Sequence, residues 1–320
     1  MKAVVIRQFG GPEVLRMAQV DEPTLRPTQV LVQVKATSVN PLDYQIRRGD
    51  YPQDVVLPAI IGHDVAGDVV AVGSAVQDFK VGDAVYYSPK IFHGQGSYAE
   101  FHAVDESIIA LKPTNLSYLE AASLPLAAGT AWEMLVTRAQ LSIGESILIH
   151  GGAGGVGSIA IQLAKAIGAT VFTTAKSIHS QKLKDLGADY IIDYQKESYV
   201  TSINEFTRGE GVDVIVDSTG GLTLSESPNV LAQLGRVVTL VDTSVPQNLI
   251  QAWGKNATYH FVFTRQHRGK LDQITRLVEQ GLIKPVIDSI YSLEEMGEAH
   301  RRLESKKRER ELFGKIVIEL

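Results

Sequence analysis

The chain has 320 residues, a net charge of −5 and no cysteine. A length of this size with 44% hydrophobic residues supports one large or two ordinary domains, and it excludes disordered and small disulfide-stabilised proteins. The missing cysteines exclude disulfides, a thiolate nucleophile and cysteine-ligated zinc. The acidic balance disfavours nucleic-acid binding, which needs a basic face, and no run of about 18 apolar residues predicts a membrane span. We therefore expect a soluble cytoplasmic protein with no nucleic-acid partner.

The first third of the chain contains short apolar runs separated by turn residues. Strands are predicted at residues 30–36, 68–73 and 83–87, and this spacing is typical of a compact β-rich unit. From about residue 118 the period becomes helical, with helices predicted at residues 118–122 and 130–139. The change of period indicates a domain boundary.

Strands and helices alternate in the middle of the chain. Strands are predicted at residues 146–150, 170–174, 190–193, 212–217 and 236–241, and helices at residues 155–167 and 180–186. Such alternation predicts an α/β fold with a doubly wound parallel sheet. A strand at residues 259–263, helices at 271–280 and 293–303, and a last strand at 314–318 follow. The basic run at residues 306–310 is interleaved with glutamates and predicts a solvated helix or turn.

A glycine-rich turn follows the predicted strand 146–150 and opens the predicted helix 155–167. It has the pattern G-x-G-x-x-G and consists of Gly152, Ala153, Gly154, Gly155, Val156 and Gly157. Glycines at this spacing let the backbone turn tightly and approach a pyrophosphate, while N–H groups at the helix start bind the anion. The turn predicts a dinucleotide-binding site, with a merely flexible turn as the alternative.

The end of the next strand indicates which dinucleotide is bound. A carboxylate there would bind the adenosine ribose and repel a 2′-phosphate, but the position holds Thr174. Lys176 and His179 follow, and Tyr194 at the end of the third strand offers a hydroxyl. These residues predict NADPH as the cofactor. A solvated loop is the alternative interpretation of Lys176 and His179.

Several ordered motifs carry a family resemblance. They are the segments at residues 38–44, 48–52, 62–73 (GHDVAGDVVAVG) and 124–132, the glycine turn, and the sequence GKIV at residues 314–317. Over its full length the chain resembles the medium-chain dehydrogenase/reductase superfamily, in its zinc-free quinone oxidoreductase and enone reductase branch. The resemblance implies a GroES-like β-rich catalytic domain (residues 1–122 and 262–320) with a Rossmann NADP-binding domain (residues 123–261) inserted. It also implies a homodimer that pairs through a Rossmann edge strand, at residues 236–241 or 259–263.

The resemblance also bears on metal binding. Zinc-dependent members of this superfamily hold the metal with two cysteines and a histidine, of which only His63 is present here. The cysteine positions correspond to Asn40 and about Leu126. A single imidazole cannot form a three-ligand catalytic zinc site, so no metal is expected. An oxygen-rich site made by His63, Asp43 and Asp64 is the alternative.

Without zinc, the expected reaction is hydride transfer to an acceptor that is already electron-poor, such as a quinone or an α,β-unsaturated carbonyl. The resemblance places Asn40, Tyr44, Tyr51 and Arg265 near the nicotinamide as candidate catalytic donors. Each also has a structural interpretation, as a turn, packing or surface residue. By resemblance and by position after strands, the candidates that line the nicotinamide and its ribose are Thr130, Ser218, Thr219, Val241 and Phe263.

Two other functions remain open from the sequence. Reduction of an enoyl thioester would use the same chemistry but needs a basic groove for a further phosphate, for which Arg47 and Arg48 are the candidates. A structural or RNA-associated protein that binds NADPH with little turnover is the alternative outside enzymology. Acceptor specificity is expected to lie in the loops at residues 45–55 and 245–268.

Overall fold

The computed structural model describes residues 1–92, 95–241, 249–305 and 311–320. They form two compact units, which we describe separately. Unit 1 comprises Met1–Gly129, Arg265–Gly281 and Pro285–Leu320, and unit 2 comprises Thr130–Thr264 and Leu282–Lys284. The predicted basic turn at residues 306–310 and residues 245–248 of the predicted specificity loop lie outside the described residues. Within the described ranges, no helix has the length and apolar character needed to cross a membrane.

The described residues form strands throughout both units. In chain order these are β1 (Lys2–Ile6), β2 (Arg16–Gln19), β3 (Gln29–Val39), β4 (Ala59–Ile60), β5 (Val65–Val72), β6 (Ala84–Tyr87), β7 (Phe101–Asp105), β8 (Ala110–Leu111), β9 (Ser146–His150), β10 (Thr170–Ala175), β11 (Tyr190–Asp193), β12 (Val212–Asp217), β13 (Leu231–Thr239), β14 (Thr258–Phe261), β15 (Ile287–Ser292) and β16 (Lys315–Glu319).

In chain order the described helices are α1 (Pro41–Arg48), α2 (Tyr118–Ala122), α3 (Pro125–Trp132), α4 (Gly155–Ile167), α5 (Ser180–Asp185), α6 (Tyr199–Phe206), α7 (Leu222–Glu226), α8 (Leu249–Gly254), α9 (Arg268–Glu279) and α10 (Met296–Glu304). The longest of the described helices are α4 in unit 2 and α9 in unit 1. A π-helix, Glu133–Arg138, follows α3.

Unit 1 is built on a mostly antiparallel sheet of seven strands. The order is β15-β16-β3-β5-β6-β8, with β7 also paired to β3, and a second sheet has the order β2-β1-β4. β16 lies between β15 and β3, so the last part of the chain is interior to this sheet. The core beside it combines Val4, Ile46, Met296 and Ile316, from opposite ends of the sequence. Burying each such side chain contributes about 1.5–3 kcal/mol.

Unit 2 contains a parallel six-stranded sheet of order β11-β10-β9-β12-β13-β14. Its central strands β9 and β12 are buried over nearly their whole length, as is usual for parallel sheets. The strand order reverses between β9 and β12, which is the place where such sheets bind ligands. The turn after β9 is therefore at the expected binding edge.

Five sequence predictions match the structure at both ends of the element, namely α2, β9, α4, β11 and β12. The strand predicted at residues 236–241 ends instead at Thr239, so Val241 lies beyond it. That strand is also wrong as a candidate dimer edge, because β13 is paired on both sides, by β12 and β14. The helix predicted at 130–139 is α3 followed by the π-helix, and α1 was not predicted.

Candidate functional site

The glycine turn begins at the carboxyl end of β9. Gly151 has a φ of 79°, which is in the left-handed region that favours glycine. A Cβ on Gly152 would lie 2.1 Å from Thr173 Oγ1, and a Cβ on Gly157 would lie 2.3 Å from the Gly151 carbonyl oxygen. Both distances are well below van der Waals contact. The turn can fold this closely on β10 and α4 only because these positions are glycine.

The first turn of α4 presents backbone donors. Gly154 is the N-cap, and no side chain caps the helix. The N–H groups of Gly155, Val156 and Gly157 occupy the first three helical positions, where no intrahelical acceptor exists. The positive end of the helix dipole adds to their attraction for an anion. This geometry fits a pyrophosphate.

The end of β10 bears a buried hydroxyl where NAD-specific proteins carry an acid. Thr174 Oγ1 accepts the N–H of Gly151 at 3.3 Å and lies 3.2 Å from His150 Nδ1. Thr174 therefore holds the glycine turn against the end of β10. It brings no negative charge that would repel a 2′-phosphate.

The other predicted phosphate ligands come together at this edge. Lys176 and His179 follow β10, and Tyr194 follows β11. The two strands are adjacent and parallel, with Ala175 in register with Asp193, so their carboxyl ends lie side by side. His179 is buried, Lys176 is half-buried and Tyr194 is about half exposed. All three also have contacts within the protein.

Sequence reasoning missed Asp193, the last residue of β11. Its Oδ2 accepts the N–H of Ser177 at 3.1 Å, and its Oδ1 accepts the N–H of Gln195 at 3.0 Å. Lys196 Nζ lies 3.4 Å from Oδ2 and donates to Ser177 Oγ at 2.8 Å. Burial raises the pKa of Asp193, but hydrogen bonds from Ser177, Gln195 and Lys196 outweigh it and lower the pKa. The available signal was a carboxylate that closes a strand next to Tyr194.

His150 lies beneath the glycine turn and was not predicted as a site residue. It is fully buried, and its ring meets that of Tyr199 edge-on at 4.7 Å. Burial lowers the pKa of His150 to about 4, although the nearby Asp217 charge opposes the shift. Its Nε2 has no hydrogen-bond partner among the described residues. The imidazole is therefore neutral at pH 7.

The predicted residues after β12 brace the same edge. Ser218 Oγ donates to the His150 carbonyl at 3.0 Å, and the Thr219 N–H donates to Asp217 Oδ1 at 2.6 Å. Asp217 is buried and also accepts the Thr223 hydroxyl at 2.9 Å. These bonds hold the start of the β12–α7 connection beside the glycine turn.

The remaining predicted lining residues belong to different elements of unit 2. Thr130 is buried in α3. Val241 follows β13, and its N–H donates to Thr239 Oγ1 at 3.3 Å. Phe263 follows β14 and is 60% exposed. Because β13 and β14 are parallel neighbours of β12, Val241 and Phe263 lie on the same edge of the sheet as the glycine turn.

A buried polar network lies in unit 1, around Asp43. Its Oδ1 is 2.5 Å from His63 Nδ1, and its Oδ2 accepts the Tyr98 hydroxyl at 3.0 Å and the Asn40 N–H at 2.7 Å. The Tyr98 hydroxyl is in turn 3.1 Å from His300 Nε2. Burial raises the pKa of Asp43, but its bond to His63 and the other partners lower it overall.

Asn40, a candidate catalytic donor, belongs to an adjoining network around Asp64. Its Nδ2 donates to Asp64 Oδ2 at 2.7 Å, and its Oδ1 accepts a hydrogen bond from Lys315. Asp64 Oδ2 is also 3.2 Å from Lys315 Nζ, and Asp64 Oδ1 accepts the Leu126 N–H at 2.7 Å. The Asn40 amide is thus occupied by protein partners at both ends.

The other candidate donors of unit 1 are more accessible. Tyr44 is half-buried, with the Arg48 guanidinium 5.3 Å from its ring centroid. Tyr51 packs on Phe92 with ring centroids 4.9 Å apart, and burial raises the pKa of its hydroxyl. Arg265 is exposed. Tyr44, Tyr51 and Arg265 do not form a hydrogen-bonded cluster with one another among the described residues.

Arg47 and Arg48, the candidate groove for a thioester phosphate, are engaged within unit 1. Arg47 is 1% exposed, and its two terminal nitrogens each donate to Glu304 at 2.7 Å. Arg48 is paired with Asp50 at 2.5 Å. The pair therefore does not form an open basic groove.

Comparison with known proteins decides the family. The model of the alcohol dehydrogenase GroES-like domain matches residues 26–114, and that of the zinc-binding dehydrogenases matches residues 186–318. The chain is 40% identical to the "NADPH-dependent alkenal/one oxidoreductase, chloroplastic" of Arabidopsis thaliana over 297 residues, which are 90% of this chain and 72% of the relative. It is 32% identical to the quinone oxidoreductase of Homo sapiens over 311 residues, 95% of this chain and 94% of that protein.

Solved structures agree with these matches. The quinone oxidoreductase from Coxiella burnetii has a TM-score of 0.91 and 33% identity, covering 100% of this chain and 99% of that one. The Escherichia coli quinone oxidoreductase complexed with NADPH has a TM-score of 0.90 and 29% identity, with 100% of both chains covered. The chain belongs to the medium-chain dehydrogenase/reductase superfamily, in its quinone oxidoreductase and enone reductase branch. Membership confirms the predicted α/β fold with a GroES-like domain and a Rossmann sheet.

Within this superfamily the chain departs from the zinc-dependent pattern. The zinc-ligating histidine position is His63, whose Nδ1 is held by Asp43. The resemblance places the cysteine positions at Asn40, which is bonded to Asp64, and at about Leu126. Throughout the described ranges, no three His, Cys, Asp or Glu side chains are grouped so that they could hold a metal ion. The alternative oxygen-rich site at His63, Asp43 and Asp64 is therefore not formed.

Proposed function

We propose that this protein is an NADPH-dependent, zinc-independent oxidoreductase that transfers a hydride to quinones or α,β-unsaturated carbonyls. The observation that carries the proposal is the uncapped, glycine-built start of α4, next to a strand end without a repelling carboxylate. Relatives over nearly the whole chain are named an NADPH-dependent alkenal/one oxidoreductase, a 2-methylene-furan-3-one reductase and quinone oxidoreductases.

The residues of unit 2 fit the cofactor. The first-turn N–H groups of α4 would hold the pyrophosphate, and Lys176, His179 and Tyr194 would hold the 2′-phosphate. Ser218, Thr219, Thr130, Val241 and Phe263 would line the nicotinamide half. When bound, NADPH supplies the hydride. Gly152 and Gly157 are essential to this fit because a Cβ at either position would clash with Thr173 or with the Gly151 carbonyl and displace the turn.

The residues of unit 1 would stabilise the anion that hydride addition creates on the acceptor. Tyr44 and Tyr51 offer hydroxyl donors, and Arg265 offers a positive charge. The raised pKa of Tyr51 keeps its proton in place at neutral pH. Asn40, the fourth candidate, has its amide bonded to Asp64 and Lys315. We assign it a positioning role at the start of α1.

The wider assignment covers domains, assembly and location. Residues 1–122 and 262–320 would form the catalytic domain and residues 123–261 the cofactor domain, close to the two units of the fold. A homodimer would pair through β14, the outer strand of the parallel sheet, on which Phe261 is 63% exposed. The assignment also places the protein in the cytoplasm with small-molecule partners, and the net charge of −5 argues against a nucleic-acid partner.

Acceptor assays test the proposal directly. NADPH oxidation is followed with 1,4-benzoquinone, 9,10-phenanthrenequinone and a small enone, each with and without EDTA, and NADH replaces NADPH in parallel. We expect turnover with at least one acceptor, no effect of EDTA, and a lower kcat/KM with NADH. Absence of oxidation with every acceptor would favour a non-catalytic NADPH-binding protein. Loss of activity in EDTA would overturn zinc independence.

A further inference from the structure

Asp193 presents an electrostatic problem at the proposed 2′-phosphate subsite. Its carboxylate ends β11 in register with Ala175 of β10, directly before the loop that carries Lys176 and His179. An unscreened carboxylate here would repel a phosphate. Its side chain is only 8% exposed, however, and its oxygens accept two backbone N–H groups and face an ammonium. Its charge is therefore already compensated within the protein.

The bonds of Asp193 tie two loops together. The Ser177 N–H belongs to the loop after β10, and the Gln195 N–H belongs to the turn after β11. One carboxylate thus fixes the spacing between the segment that carries Lys176 and the segment that carries Tyr194. A second acid, Glu197, is directed elsewhere, because its carboxylate accepts the Asp193 N–H at 3.3 Å and the Ser202 hydroxyl at 2.6 Å.

Lys196 extends this arrangement towards solvent. Its ammonium lies between Ser177 Oγ, at 2.8 Å, and Asp193 Oδ2, at 3.4 Å, while its side chain remains 69% exposed. An ammonium has three donors, and these two contacts leave one for an incoming anion. Ser177 and Lys196 therefore stand at the strand ends where the 2′-phosphate would lie.

We propose that Asp193 is a positioning residue for cofactor selection, which holds Ser177 and Lys196 so that both contribute to the 2′-phosphate subsite. The inference rests on the proposed use of NADPH and adds two contacts to those expected from Lys176, His179 and Tyr194. In this role Asp193 raises the affinity for a 2′-phosphate, whereas an acid that selects NADH lowers it. The carboxylate favours the phosphate by organising its ligands.

Binding of cofactor fragments separates these two roles. Calorimetry on the full chain gives the affinities of adenosine 2′,5′-bisphosphate and 5′-AMP, which differ at the 2′-phosphate. For Asp193→Asn we expect the affinity for the bisphosphate to fall about tenfold, with 5′-AMP changed by less than about twofold. Asp193→Glu keeps the charge but moves the carboxylate, so a similar loss is expected. If Asp193 instead repelled the 2′-phosphate, Asp193→Asn would bind the bisphosphate more tightly than the wild type.

Variants of the held residues keep the inference testable if Asp193 variants do not fold. Lys196→Met is expected to weaken bisphosphate binding about tenfold, and Ser177→Ala about threefold, again without effect on 5′-AMP. The matched control is Lys184→Met, which removes an exposed lysine from α5. It should leave both affinities unchanged.

The outcomes distinguish the two proposals. If the wild-type protein binds 5′-AMP as tightly as the bisphosphate, both NADPH selection and the role of Asp193 are overturned. If the wild type prefers the bisphosphate and Lys196→Met retains that preference, only the inference about Asp193, Ser177 and Lys196 fails. Equal losses for the bisphosphate and 5′-AMP in Asp193→Asn would show a general structural role and contradict positioning.

Discussion

The glycine turn of unit 2 and the Asp43 network of unit 1 use polar groups in opposite ways. The turn leaves the first N–H groups of α4 without a side-chain cap. In the network, Asp43 accepts bonds from Tyr98 and the Asn40 backbone and is paired with His63. One region keeps its donors available to a ligand, whereas the other satisfies them internally.

This difference bears on His63, the position that the resemblance equates with the zinc-binding histidine of the superfamily. An imidazole whose Nδ1 is held by a buried carboxylate contributes to the folding of unit 1 without further ligands. The neighbouring acid, Asp64, is likewise occupied by Asn40, Lys315 and the Leu126 backbone. The polar groups near His63 are therefore satisfied within the protein, whereas the first N–H groups of α4 have no side-chain cap.

The largest expected effect comes from adding a side chain to the glycine turn. In Gly157→Ala the new Cβ would meet the Gly151 carbonyl oxygen at 2.3 Å, so the turn must move away from α4. We expect NADPH affinity, measured by fluorescence titration, to fall by on the order of 100-fold.

Gly254→Ala is the matched control, because a Cβ there meets nothing within 4 Å. It should bind NADPH as the wild type does. Unchanged affinity in Gly157→Ala would mean that the turn does not hold the cofactor.

A smaller effect is expected from breaking the unit 1 network. Asp43→Asn removes the carboxylate that faces His63, Tyr98 and the Asn40 N–H. Leaving the buried donors of this network without their carboxylate acceptor costs roughly 2 kcal/mol of unfolding free energy, measured in urea. NADPH affinity should stay within about twofold of the wild type, because the proposed cofactor ligands lie in unit 2.

The same substitution at an exposed pair is the control. Asp50→Asn loses the ion pair with Arg48, which is half exposed, and such pairs contribute about 0–1 kcal/mol. Equal destabilisation by the two substitutions would contradict the structural role of the network.

A still smaller effect is expected from acidification, which should destabilise unit 1 more than unit 2. Burial lowers the pKa of His102, His150 and His300 to about 4, below the unfolded value of about 6.5. The contribution of these neutral histidines to the unfolding free energy is therefore fully present above pH 6.5. It is lost as the pH falls towards 4, by about 1.4 kcal/mol per pH unit for each histidine. His102 and His300 belong to unit 1 and His150 to unit 2.

Hydrogen exchange from pH 6.5 to 5 can follow each unit separately. Amides of unit 1 should lose protection faster than those of unit 2, by about 1.4 kcal/mol per pH unit. In His150→Gln the pH dependence of unit 2 should decrease, while that of unit 1 stays unchanged. A uniform loss of protection in both units would refute the assignment.

The cofactor half of the molecule was the more predictable from sequence. β9 and α4 agree to the residue because an apolar strand, a glycine turn and an apolar-periodic helix are local patterns that do not depend on distant residues. Thr174 was recognised by its place at a strand end. Asp193 was missed because its function depends on the N–H of Ser177, 16 residues earlier.

The unit 1 network could not be found in this way. Arginine is usually a surface residue. Arg47 is buried because it pairs with Glu304, which lies 257 positions later in the sequence. α1 was missed for a different reason, because Asn40 and Pro41 were interpreted as a turn. Asn, Pro and then Asp three positions after the Asn also form a helix start, and here Asp43 closes it.

The position of β16 constrains the order in which the protein can fold during synthesis. Because β16 separates β15 from β3 within one sheet, that sheet cannot close until residues 315–319 have left the ribosome. The six strands of unit 2 lie between residues 146 and 261 and are complete much earlier. The cofactor sheet can therefore assemble while β3 still lacks β16 as its neighbour, and NADPH present at that time could stabilise a nascent chain.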